Sequence, residues 1–125
     1  MKTVAILATL DTKADEAGFM RSEIESLGGQ ALLIDLSLVG ESHLSADVTK
    51  QDVISAGGGN LADLLVKPNR EESNPFIVAG ATKIVKELQD SGKIDAVVSL
   101  GGTQGTSTCA PILQALPYGF PKIML

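Results

Sequence analysis

An α/β domain built on a doubly wound parallel sheet is the fold this sequence predicts, and three observations carry that reading. Four apolar runs, 3–9 (TVAILAT), 31–36 (ALLIDL), 94–100 (IDAVVSL) and 121–125 (PKIML), are mostly continuous rather than alternating. That is the pattern of parallel strands covered on both faces. Segments with helical spacing lie between them, so strand and helix alternate along the chain, as in a three-layer Rossmann-like domain. Glycine clusters close the helices or follow the strands, where such a fold turns.

Each element has its own justification. After the first strand, Ala17, Met20, Ile24 and Leu27 mark one helical face, with Thr12 as the expected N-cap and Gly28 and Gly29 as the stop. A short second helix opens at Thr49, with Asp52 three residues on, and ends at Gly57, Gly58 and Gly59. In the third, Ile77, Ala81, Ile84, Val85 and Leu88 form a stripe of nearly ideal period, closed by Gly92. The fourth carries Cys109, Ile112, Leu113 and Leu116 and stops before Pro117. The stretch 39–75 is the irregular part, a short helix among polar loops such as KPNREESNP at 67–75. There is no internal repeat and no low-complexity tract. The chain ends inside a strand without a polar tail, so the sequence is expected to be the N-terminal domain, 1–125, of a longer protein, truncated at its last strand. An open edge there is expected to favour a homo-oligomer.

Right-handed crossovers give the expected strand order 2-1-3-4, because the long second connection returns the chain to the far side of strand 1. Chain order reverses between strands 1 and 3, and ligands of open α/β sheets bind beyond the carboxyl ends of the strands at such a point. The segments leaving there are TLDTKAD and GGTQGTST, and they are expected to face one another.

Composition narrows the choice of ligand. With 125 residues, 44% apolar and 20% charged, the chain can bury a core of its own. Its apolar runs are shorter than the ~20 residues of a membrane span. A net charge of −5, with one Tyr and three Phe, argues against a basic or stacking nucleic-acid face. A single Cys and no export signal suit a reducing cytoplasm.

The stretch SLGGTQGTSTCAP, 99–111, suits an anion. Gly101, Gly102 and Gly105 let backbone N–H groups converge on a phosphate, and Thr103, Thr106, Ser107 and Thr108 add hydroxyls. Lys13, in the first turn of the first helix, opposes the helix dipole, a conflict a bound phosphate would relieve. The plainer readings are a glycine-rich turn with capping threonines and a solvated lysine. GGTQGT is neither of the standard nucleotide-binding fingerprints. Asp35, at the end of strand 2, stands where an acid can bind ribose hydroxyls, or is a cap or loop carboxylate. Asp11, the one carboxylate at the crevice, either caps the first helix, the favoured reading, or holds Mg²⁺ through water. Cys109 reads as a small buried thiol. The only histidine, His43, lies in a polar loop, and no metal-ligand spacing accompanies it.

Three segments, ATLDTKADE (8–16), GKIDAVVSLGGTQGT (92–106) and ALPYGFPKIML (115–125), together carry a resemblance. The chain resembles the N-terminal part of a family of uncharacterised bacterial and fungal proteins related to the ATP-binding inhibitory domain of the tomato mosaic virus resistance protein. The family pattern runs T-L-D-T-K-x-x-E, then G-K-I-D-x-x-x-x-x-G-G-S-x-G-T, then L-P-x-G-x-P-K. Thr103 replaces the usual Ser, and Gln104 stands where small residues are common. The resemblance implies a Rossmann-like half of a two-lobed protein, with ATP held by the glycine-rich loops near an interlobe cleft completed by a C-terminal lobe; it implies no established reaction. The expected ligand is therefore the phosphate part of a nucleotide, ATP, with or without Mg²⁺. The expected contacts are Asp11, Thr12, Lys13, Asp35, Gly101, Gly102, Thr103, Gly105 and Thr106. An enzyme acting on a phosphorylated small molecule, its site completed by that lobe, and a ligand-free interaction module are the alternatives.

Overall fold

The structure is a computed structural model and describes residues 2–37, 45–66, 70–100, 111–117 and 119–124. Along the chain run β1 (Thr3–Ala8), α1 (Leu10–Ser26), β2 (Gln30–Asp35), α2 (Lys50–Ala56), α3 (Leu61–Val66), α4 (Arg70–Asp90), β3 (Ala96–Leu100) and β4 (Lys122–Met124). Residues 111–114 add a further helical turn. The sheet has the order β2-β1-β3-β4, as the sequence predicts. Every pair is parallel, with Ala8 level with both Asp35 and Leu100.

The continuous apolar runs are explained by two buried faces. On one, Ala5, Leu7, Ile34 and Val97 pack against Val53 and Ile54 of α2, Ile77, Ala81 and Val85 of α4, and Ile112, Leu113 and Leu116. On the other, Ile6, Ala8, Leu33, Val98 and Leu100 pack against Leu10 and Ala17, with Met20 and Ile24 at the margin. Helices therefore cover both sides of the sheet, as in a Rossmann-like α/β fold.

Below the ladder, Asp95 Oδ2 accepts the Thr3 N–H at 2.8 Å and the Asp95 N–H donates to Thr3 O at 2.7 Å. This joins β1 to β3 ahead of their paired residues. At the outer edge of β2, Asp47 Oδ2 accepts the Leu33 N–H at 2.8 Å, and the Asp35 N–H donates to Val48 O at 3.0 Å. A short strap thus takes hydrogen-bonding groups of Leu33 and Asp35 that an edge strand otherwise leaves open. No helix among the described residues is long and apolar enough to cross a membrane.

Some local expectations hold and others are corrected. Thr49 and Asp52 form the capping box expected of α2, each side chain meeting the other residue's backbone N–H, and Gly58 supplies a positive φ of 87° just past its end. Helix α1 opens at Leu10 with Thr9, not Thr12, at the N-cap, because Leu10 is an apolar anchor that the core draws into the helix. Leu27 is not on the buried face; it is the C-cap residue and 86% exposed. The polar segment from Arg70 onward is helix rather than loop, with Pro75 its sixth residue. Two features override the proline there. Glu72 near the N-terminus complements the helix dipole, and the wholly buried Ser73 and Ile77 hold the turn to the core.

Helices α2 and α4 meet backbone to backbone. A Cβ built on Gly80 would lie 1.7 Å from the Val53 carbonyl oxygen, and one on Gly57 2.1 Å from that of Phe76. A mid-helix glycine costs roughly 1 kcal/mol relative to alanine, so Gly80 is explained by contact and not by helix propensity. Gly80→Ala is expected to destabilise the fold by at least ~3 kcal/mol. Gly58→Ala, strained in φ but with open space around it, is expected to cost about 1 kcal/mol. Urea unfolding of the two variants checks this ordering; a Gly80→Ala loss no larger than that of Gly58→Ala would refute the contact.

Candidate functional site

The carboxyl ends of β2, β1 and β3 lie side by side, at Asp35, Ala8 and Leu100. Chain order reverses between β1 and β3, so the expected switch point exists. What happens immediately above β1 is set by Leu10. Its side chain, 1% exposed, inserts among Ile6, Ala8, Leu33, Val98 and Leu100. That insertion turns the chain straight from strand into helix, with Thr9 extended at φ −83° and ψ 94°.

The first turn of α1 is kinked away from the rest of the helix. At Lys13 the backbone leaves helical geometry, with φ −118° and ψ 21°, while the Lys13 N–H still donates to Thr9 O at 2.8 Å. Residues 10–12 therefore form a separate turn above the sheet. Asp11 is the second residue of this turn and so is not the N-cap; Thr12 is the third and is not the N-cap either. Lys13 stands in the first turn, as the sequence predicts, and its side chain is half-buried.

Asp35 reaches this turn from the neighbouring strand. Its Oδ1 accepts the Leu10 N–H at 3.3 Å, the Ser37 N–H at 2.9 Å and the Ser37 Oγ–H at 2.6 Å. Of its two expected roles, the structure displays the cap: Asp35 takes one of the N–H groups that a helix N-terminus leaves without an intrahelical partner. Ser37, 2% exposed, is a member of this cluster that the sequence reading did not single out. The signal for it was the D-x-S pattern at a strand end, where an aspartate accepts the N–H two residues on.

Gly101, Gly102, Thr103, Gly105 and Thr106 lie outside the described residues, as do Ser107, Thr108, Cys109 and His43. Among the described residues no group of three or more His, Cys, Asp or Glu is placed to hold a metal ion. A groove of about 450 Å³ lies elsewhere, toward the amino ends of β1 and β2, lined by Thr3, Arg21, Glu25, Gln30 and Asp47 among others. Arg21 is paired there with Glu25, at 3.2 Å.

Residues 2–125 match the family described as Uncharacterised protein family (UPF0261) N-terminal domain. A UPF0261 protein of Clostridium tetani is 37% identical over 124 residues, covering 99% of this chain and 31% of its own length. One from Brucella suis is 32% identical over 122 residues, covering 98% of this chain and 29% of its own, and one from Rhizobium meliloti 29% over 125, covering 100% and 30%. The chain thus spans less than a third of the length of these curated relatives.

Leu10→Ala is expected to cost about 3 kcal/mol, the usual range for truncating a fully buried leucine. Chemical unfolding measures it. A loss below about 1 kcal/mol would mean that Leu10 does not anchor the turn.

Proposed function

This chain belongs to the uncharacterised UPF0261 family, in its N-terminal domain, and from that premise we propose that it binds the phosphates of a nucleotide, ATP, at the switch point of its sheet. The observation that carries this reading is the parallel pairing of β1 with β3, which brings Ala8 level with Leu100. The two segments that carry the anion-binding chemistry in the sequence leave the sheet from these neighbouring residues. One contributes Asp11, Thr12 and Lys13. The other contributes Gly101, Gly102, Thr103, Gly105 and Thr106, whose backbone N–H groups and hydroxyls are suited to phosphate oxygens. The kinked start of α1 adds the favourable end of a helix dipole at this rim. Asp11 is the carboxylate available to Mg²⁺ carried by the nucleotide, through water.

The resemblance of TLDTK and GGTQGT to a family of uncharacterised proteins related to the ATP-binding inhibitory domain of the tomato mosaic virus resistance protein points the same way. The length of the relatives supports a second reading. In proteins about three times as long as this chain, the remaining part can complete a site that acts on a phosphorylated small molecule.

Calorimetric titration of the intact protein tests the first reading. Gly105→Val is expected to lower ATP affinity by at least ~10-fold, about 1.4 kcal/mol. Lys13→Ala is expected to weaken ATP more than adenosine, because its charge meets phosphate rather than base. If Gly105 only supplies a turn, Val there lowers the melting temperature and leaves ATP affinity unchanged, which overturns the proposal.

A further inference from the structure

Resting on the nucleotide reading above, we propose that Asp35 is the positioning residue of the site and not its ribose ligand. An acid at the end of a second strand can grip vicinal ribose hydroxyls, and a bidentate grip of that kind uses both carboxylate oxygens. Here Oδ1 is already engaged with three donors, the Leu10 N–H and both the N–H and Oγ–H of Ser37. A carboxylate oxygen has two lone pairs, so this one has no capacity left for a sugar hydroxyl. The partners are themselves fixed: Leu10 is 1% and Ser37 2% exposed. The Leu36 N–H also donates to Ala8 O at 2.9 Å, so the end of β2 is tied to β1 on either side of the carboxylate.

What this arrangement does is set the angle of the turn at 10–12. That turn is set off from the body of α1 by the kink at Lys13. Leu10 fixes it from below, and Asp35 fixes it from the side through the first N–H. Asp35 accepts the first N–H of the turn and so sets where the turn begins. Asp35 then acts on the ligand through Leu10, and its loss is felt at the phosphates.

The test compares ATP with 2′,3′-dideoxy-ATP on the intact protein and follows amide hydrogen exchange at residues 10–13. Asp35→Ala is expected to weaken both nucleotides by the same factor, about tenfold, as any loss of phosphate grip would. It is also expected to speed exchange at Leu10. Asp35→Asn, which keeps the acceptor Oδ1, is expected to stay within about threefold of the native affinity. Ser37→Ala is expected to fall between the two while preserving the ratio of the nucleotides. A loss confined to ATP, with 2′,3′-dideoxy-ATP binding unchanged, would make Asp35 a ribose ligand and overturn the proposal. So would unchanged exchange at Leu10 in Asp35→Ala. Native protein that binds neither nucleotide overturns the nucleotide reading itself, and the exchange measurement then still decides whether Asp35 fixes the turn.

Discussion

Strand β1 is hydrogen-bonded on both edges and covered on both faces, and the rest of the domain is arranged around that double confinement. Its side chains alternate between the two cores: Ala5 and Leu7 serve the α2 and α4 side, Ile6 and Ala8 the α1 side. Its neighbours β2 and β3 are both parallel to it, which aligns three carboxyl ends at one rim. A parallel neighbour cannot be reached by a tight turn, so each connection crosses a face and deposits a helix there. The rim of the sheet and its two helical layers follow from one strand's burial.

Much of this was legible because continuous apolar runs and a 3.6-residue stripe are direct records of burial. The stripe of α4 is an example: Ile77, Ala81 and Val85 are wholly buried, with Ile84 and Leu88 at the margin. The capping box at Thr49 was legible because both partners lie within four residues. The failures share a different physical origin. Leu27 continues the spacing of Ala17, Met20 and Ile24, yet the helix ends before it and the sheet offers nothing to cover it. Pro75 argues against a helix locally, and burial of Ser73 and Ile77 outweighs it. Periodicity records which residues want burial; it does not record where the partner surface stops.

At the candidate site the same division holds. The order of strands, and hence the rim where β1 and β3 end together, followed from connection lengths and handedness. The start of α1 did not, because its position depends on Leu10 entering a core made by three strands and on a carboxylate 25 residues away in sequence. A capping partner supplied by another strand leaves no local trace. Asp35 was singled out for its place at a strand end, and its side chain turned out to face the protein's own backbone.

The strap that runs beside β2 gives the sheet a polarity of growth. Leu33 and Asp35 already spend their outward backbone groups on Asp47 and Val48, so a strand arriving at that margin finds few rungs to join. On the opposite margin, β4 is three residues long and its Ile123 is half exposed. Among the described residues, no strand pairs with the far side of β4. The domain resembles a zipper with one end stitched shut, and fusions or affinity tags that bring extended segments near it are best kept on the β2 side.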